Sequence, residues 1–185
     1  MHMNKLHYTT NTGFALLLAI IIASIALSIG LSMLHITLKQ LSLGTTTKGS
    51  EIAFQAANAG MECLRYVRND QSAEMFAGSS VQSDCLGGGF VIPNSGSNPQ
   101  HRIYRDDTIN WITTGGDALC VDMEIHLLDA RGGQVDYTFG SAGLKECFAG
   151  DVCTFGFSRG YNRSCSDIAS GSSIFTVQRE LTVEF

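Results

Sequence analysis

The sequence predicts an α+β protein in which a long N-terminal α-helix, membrane-spanning in its first half, packs through its second half on a C-terminal antiparallel β-sheet. Three observations lead there. The 25 residues from Phe14 to Leu38 carry no formal charge apart from any on His35. From Glu51 to Val67 apolar residues recur at three- and four-residue spacing, and from Leu119 onward they recur at every second position. The averages conceal this division: mean hydropathy is +0.11 and only 16% of the 185 residues are charged, against roughly 25% in an ordinary soluble domain. Residues 69–185 hold 15 acidic and 7 basic side chains, a net charge of −8. An oily segment joined to an acidic, Gly-rich domain excludes a plain cytosolic globule, a multi-span membrane protein and an electrostatically driven nucleic-acid binder.

The first element is the apolar run. Its uninterrupted core, Phe14–Leu34, makes a helix of about 32 Å at 1.5 Å per residue, which matches a hydrocarbon layer of roughly 30 Å. No polar face interrupts it before Lys39, so it reads as a transmembrane segment over 14–38 and not as an amphipathic surface helix. Its polar positions are small. Ser24, Ser28 and Ser32 recur every four residues, with Ala26 and Gly30 at the same spacing. Such stripes let helices approach closely in an apolar medium, or the hydroxyls simply bond back to the preceding turn. Lys5 precedes the span, while Lys39 and Lys48 follow it, so the positive charges leave its orientation open. The six cysteines orient it instead. All lie after residue 60, none in a C-x-x-C motif, as expected for disulfides in an oxidising compartment. The domain is therefore expected outside and the short N-terminus inside.

The second half of the helix is amphipathic. Ile52, Ala56, Ala59, Cys63 and Val67 form one face; Glu51, Gln55, Asn58, Glu62 and Arg65 form the other. Between the halves lies Leu43-Gly-Thr-Thr-Thr-Lys-Gly49, whose residues are poor helix formers. It reads as a bend or meltable stretch within one helix, with a loop joining two helices as the alternative. Residues 69–100, rich in Ser, Gly, Asn and Asp, read as loop and turn material, including Gly87–Gly89 and Pro93–Pro99. Leu119, Val121, Met123, Ile125 and Leu127 then alternate with Cys120, Asp122, Glu124 and His126. After the turn at Asp129–Gly133, Val135, Tyr137 and Phe139 alternate with polar residues. The pattern predicts a β-hairpin with one buried and one wet face. Further strands are expected at Val152–Arg159 and Ile174–Phe185.

Six cysteines allow 15 pairings. Cys63, near the helix end, is expected to tie down the following loop through Cys85, leaving Cys120, Cys147, Cys153 and Cys165 for two bridges in the C-terminal sheet. No constellation demands catalysis: the five histidines, at 2, 7, 35, 101 and 126, show no metal spacing, and no Gly-x-Ser-x-Gly elbow occurs. The chain reads as a non-enzyme without a cofactor. Cys147, Asp151 and Cys153 suit a disulfide-closed turn better than a ligand loop. Asp106 and Asp107, with Asn110 and Asp117 nearby, are weak oxygen-ligand candidates for Ca²⁺, and a solvated acidic loop is the preferred reading. Trp111 suits a surface contact or the core equally.

The N-terminus admits three readings. A signal peptide could end at Ser24-Ile25-Ala26, but the apolar helix continues beyond it; a plain signal anchor fits the length. The third rests on Gly13-Phe14-Ala15-Leu16-Leu17-Leu18, preceded by a short polar segment, 1–13, which resembles a type IV prepilin leader. With Leu38-Lys39-Gln40 and Glu51-Ile-Ala-Phe-Gln-Ala-Ala-Asn-Ala-Gly60, the region 13–67 resembles PilX-type minor pilins and pseudopilins. The resemblance implies cleavage between Gly13 and Phe14 by prepilin peptidase and N-methylation of Phe14. It also implies a long helix over 14–68 and an extracytoplasmic sheet domain over 69–185. Its expected partners are other pilin subunits and an inner-membrane assembly platform. The expected location is the bacterial inner membrane, then a pilus at the cell surface. Major pilins carry Glu at the fifth mature position, where this chain has Leu18, a loss typical of tip or initiating subunits. Ser24, Ser28, Gly30 and Ser32 are the expected assembly surface. Three disulfides depart from the single late disulfide of major pilins.

Overall fold

The computed structural model describes residues 12–96, 98–140, 143–171 and 175–185. The first helix, α1, runs without interruption over Thr12–Asp70, and the chain divides into two compact units, Met1–Thr45 and Thr46–Phe185. The loop alternative for residues 44–49 is therefore overturned. Intrinsic propensity is a weak prior that context overrides, and Thr45 Oγ1 bonds back within the helix to the Ser42 carbonyl at 2.9 Å. Gly49 is buried where a Cβ would stand 3.0 Å from Asn162 Nδ2, so close packing accounts for that glycine.

In the second unit the helix lies on a four-stranded antiparallel sheet. Its strands are β3 (His101–Ile112), β4 (Ala118–Asp129), β7 (Val152–Tyr161) and β8 (Gln178–Glu184), in the order β3-β4-β7-β8. The amphipathic reading of the helix holds. Ala56, Cys63 and Val67 are buried, Ile52 and Ala59 half-buried, and Glu51, Gln55, Asn58, Glu62 and Arg65 exposed. Ala56, Met61, Leu64 and Val67 meet Tyr104, Val121, Met123, Ile125 and Leu127 in the main core. The approach is close because the contacting positions are small. A Cβ on Gly60 would stand 2.5 Å from Val121 Cγ1, and one on Gly160 of β7 only 2.1 Å from the Ala57 amide nitrogen.

The expected hairpin of the 119–127 and 135–139 strands is not formed. β4 pairs with β3 on one side and β7 on the other. β5 (Val135–Phe139) pairs instead with β6 (Gly143–Cys147) in a separate two-stranded sheet. Nor is the polar face of β4 wet. Cys120, Asp122 and His126 are buried and Glu124 is half-buried, because a second layer covers that face. Period-two alternation identifies a strand but not its neighbours, and β3, which the alternation misses, takes the place expected for β5. Phe139, Cys147, Leu128, Phe155 and Phe157 form a second core beneath the β5–β6 sheet.

The 69–100 region also holds more structure than expected: α2 (Ser72–Ala77), β1 (Val81–Ser83) and β2 (Phe90–Ile92). α2 is fastened to β3 through the Tyr104 hydroxyl, which donates to the Met75 carbonyl at 2.7 Å, and through Arg102, which donates to the Met75 and Phe76 carbonyls. Isolated turn-forming residues give no hint of such remote acceptors. The last strand begins at Gln178 and not at residue 174, which lies outside the described residues; Leu181 and Val183 pack against the main core.

All six cysteines are paired: Cys63–Cys85, Cys120–Cys165 and Cys147–Cys153. The first joins the helix to the following segment as expected, and the third closes the turn around Asp151. The second staples the short helix α3 (Cys165–Ala169) to the start of β4.

Candidate functional site: an exposed apolar helix and a cleft on the outer sheet face

From Phe14 to Leu43 every side chain of α1 is exposed, Leu18 included. An 18-residue stretch of this helix reaches a mean hydropathy of 2.8 with none of it buried, long and apolar enough for a single membrane crossing. The serine stripe is turned inward electrically. Ser24 Oγ donates to the Ile21 carbonyl at 2.8 Å and Ser28 Oγ to the Ile25 carbonyl at 2.9 Å. Bonding back to the preceding turn satisfies these hydroxyls within the helix, leaving small, electrically quiet positions on its surface. Of the expected leader, residues 1–11 lie outside the described residues; Thr12 and Gly13 open the helix. Farther along, Ala53, Ala56 and Ala57 are buried against the sheet while Phe54 stays 51% exposed.

The second feature lies on the sheet face turned away from α1. Strand register puts Arg105 beside Glu124, Asp122 beside Arg159, and Arg159 beside Glu180, so a charged ladder crosses all four strands on this face. Arg159 Nη1 donates to Asp122 Oδ2 at 2.9 Å and Glu124 Oε2 at 3.2 Å, and its Nε donates to Glu180 Oε2 at 2.6 Å. Burial pushes the Asp122 carboxyl up, against the pull of Arg159. Glu124 is held down at about 2, foremost by its hydrogen bond from His126.

Two histidines that the sequence leaves 25 positions apart meet at one end of this ladder. His126, buried, donates from Nε2 to Glu124 Oε1 at 2.8 Å, and its Nδ1 shares a hydrogen bond with His101 Nε2 at 2.9 Å. Tyr137 of β5 tilts over His101, with ring centroids 4.1 Å apart, and Phe139 and Phe157 stand edge-on to His126. A cavity of about 310 Å³ opens here, lined by Glu124, Tyr137, Phe139 and Arg159 among others. Desolvation, then the neighbouring His126, lowers His101 to about 4. A histidine lowered in the folded state leaves the unfolded chain binding more protons between about 6.5 and 4. Stability is accordingly expected to fall as pH drops through that window. Thermal melts between pH 7 and pH 5 should show it, and His101→Gln should flatten the slope. An unchanged slope in that variant would place the dependence elsewhere; Glu124 and Asp129, held near 2, act only at lower pH.

Of the weak Ca²⁺ candidates, Asp106 serves the backbone. β3 carries a bulge between Asp106 and Ile109, and Asp106 Oδ1 accepts from the Thr108 amide at 2.9 Å and hydroxyl at 2.7 Å. Asp107 stands 3.8 Å from Arg105 Nη2, and Asn110 Oδ1 accepts from the Cys165 amide. The expected acidic loop is thus a bulged strand. Among the described residues no group of three or more His, Cys, Asp or Glu is placed to hold a metal ion. Trp111 is half-buried against the main core. The His101–His126 pair and the ladder cannot be seen in any one segment because their members come from four strands; within one segment their trace is the run of Asp122, Glu124 and His126 at alternate positions of β4.

No family model, curated protein sequence or solved structure matches this chain.

Proposed function

We propose that the chain is a minor pilin or pseudopilin subunit of a type IV pilus-like filament, matured by prepilin peptidase between Gly13 and Phe14. The observation that carries this reading is the Gly13-Phe14 junction at the head of an exposed apolar helix that runs on, unbroken, into the helix buried against the sheet. Such a helix needs an apolar environment along its first half, and one element can occupy two in turn: lipid before assembly, and a bundle of like helices afterwards. Ser24 and Ser28, bonded to their own backbone, offer small surfaces for close helix packing. Leu18 in place of an acid removes the need for an ionic partner at that depth, where an unpaired carboxylate would be costly; this suits a subunit at a filament end. The exposed Phe54 adds an apolar contact on the outward side of the packed half. On this reading the chain is not an enzyme. Its partners are other pilin subunits and the inner-membrane assembly platform.

Mass spectrometry of the mature N-terminus, from cells containing a prepilin peptidase, tests the proposal. The expected product starts at N-methylated Phe14, and Gly13→Leu is expected to abolish that product while the protein still fractionates with the membrane. An intact Met1 in the wild-type chain would assign the helix to a permanent anchor of an extracytoplasmic binding domain, and a start at Leu27 would assign it to a signal peptide.

A further inference from the structure

A second cavity, of about 300 Å³, lies on the outer sheet face at the other end of the charged ladder. Arg105 and Asp107 of β3, Asp122 of β4 and Tyr161 of β7 give it polar walls, and Cys165 and Ile168 of α3 give it an apolar one. Asp122 is 4% exposed; its Oδ2 is bound by Arg159, yet its Oδ1 has no hydrogen-bond partner among the described residues. A buried carboxylate oxygen without a donor is costly, and each such group in a folded chain calls for an explanation. Arg105 does not supply the donor. Its Nη2 stands 3.5 Å from Asp122 Oδ2 and 3.8 Å from Asp107 Oδ2, contacts longer than a good hydrogen bond.

The signs of these groups select the ligand. A cation would suit Asp107 and Asp122 but face the guanidinium of Arg105 in the cavity and that of Arg159 behind it. An anion would suit Arg105 and meet both carboxylates. A hydroxyl group both donates and accepts, so two neighbouring hydroxyls answer a carboxylate and a guanidinium placed side by side. The Tyr161 phenol, whose ionisation burial pushes upward, stays a neutral donor and acceptor beside them. The apolar wall at Ile168 and the Cys120–Cys165 disulfide suits the C–H face of a saturated ring. A concave site with a few convergent polar groups on an apolar wall is the usual form of a small-ligand pocket.

We propose that this cleft binds a neutral carbohydrate, a vicinal diol of the sugar bridging the Asp122 carboxylate and the Arg105 guanidinium. Oδ1 is enclosed, so its engagement calls for the cleft to open around the carboxylate; Arg105, half-exposed, approaches neither Asp122 nor Asp107 more closely than 3.5 Å, so no short ion pair holds it against that opening. The α3 staple fixes the opposite wall. The sugar arises either as a free glycoside or as the terminal residue of a surface glycan, and the same diol chemistry serves both. The proposal stands apart from filament assembly, since every residue in it belongs to the sheet domain.

The test uses the full chain in lauryldimethylamine oxide micelles, a detergent without sugar. Saturation-transfer NMR with methyl α-mannoside, methyl β-galactoside, methyl β-glucoside and N-acetylglucosamine is expected to show transfer from the protein to at least one of them, and a glycan array read with the same preparation separates free glycoside from polymer. Tyr161→Phe and Arg105→Gln, both at the cavity wall, are expected to weaken binding about tenfold each, the loss of one hydrogen bond to a buried or charged group. Asp122→Asn should abolish it, but that variant also disturbs the ladder, so the decision rests on the first two. No transfer to any sugar at about 10 mM, a range in which even millimolar affinity is visible, overturns the proposal. So does binding unaffected by Tyr161→Phe and Arg105→Gln together, or stronger transfer to cadaverine or acetate than to every sugar.

Discussion

Replacing Gly160 with Ala is expected to destabilise the sheet domain by about 3 kcal/mol, a fall in Tm of about 10 °C for a unit of this size. The reason is geometric. A Cβ at this position of β7 would sit 2.1 Å from the Ala57 nitrogen, 2.2 Å from the Ala53 carbonyl oxygen and 2.8 Å from the Ala56 carbonyl carbon. All three are backbone atoms of α1, and no rotamer change moves them. The helix would have to lift from the sheet, loosening Ala56, Leu64 and Val67 from Val121, Met123 and Ile125. Gly88→Ala is the matched control. Nothing lies within 4 Å of its added Cβ, and surface changes of this kind stay within about 0.5 kcal/mol. Thermal denaturation of both variants, followed by circular dichroism, decides the matter. Equal melting temperatures would mean that the helix does not press on β7 at this point.

The second large effect concerns the disulfide that staples α3 to β4. Converting Cys120 and Cys165 to Ser is expected to cost about 4 kcal/mol, because the bridge closes a separation of 45 residues and restricts the unfolded chain most. The Cys63–Cys85 bridge, spanning 22 residues, should contribute about 3 kcal/mol, and Cys147–Cys153, spanning 6, about 2 kcal/mol. Urea denaturation of the three double-Ser variants gives the ranking directly. A Cys147–Cys153 variant less stable than the Cys120–Cys165 variant would show that native contacts, such as the β5–β6 cover over His126, outweigh loop length. Loss of the Cys120–Cys165 bridge also frees one wall of the sugar cleft, so a drop in saccharide transfer should accompany the loss of stability.

The two strongest patterns along the chain were legible because each is local. A helix buried along one stripe must repeat near 3.6 residues, and Ile52, Ala56, Ala59, Cys63 and Val67 do so. A strand must alternate, and Leu119 to Leu127 does. The uncharged run from Phe14 to Leu38 needed no partner to be recognised, since length and hydropathy alone match a bilayer. The Cys63–Cys85 bridge was legible for a related reason: one cysteine near the helix end and one in the next segment leave little else to join. Pairing was another matter. Alternation in β4 is compatible with any neighbour, and β3, whose twelve residues include Arg102, Arg105, Asp106 and Asp107, lacks the clean apolar rhythm that would mark it as that neighbour. Most of its charged side chains have a use: Arg102 fastens α2, Asp106 caps the bulge, and Arg105 lies opposite Glu124 in the charged ladder.

One apolar helix suited to a membrane, an amphipathic continuation of it, and an acidic, cysteine-bearing β domain follow from the order of residues along the chain. Those are properties of composition and period, which depend only on neighbours along the chain. The tertiary structure alone decided that the polar side of β4 is interior. Asp122, Glu124 and His126 look like a solvated face until β5–β6 and α3 cover them and Arg159, Arg105 and His101 arrive from other strands. Burial changes what those groups can do. A carboxylate that would be unremarkable in water becomes, once enclosed and short of one donor, the most demanding group on the outer face.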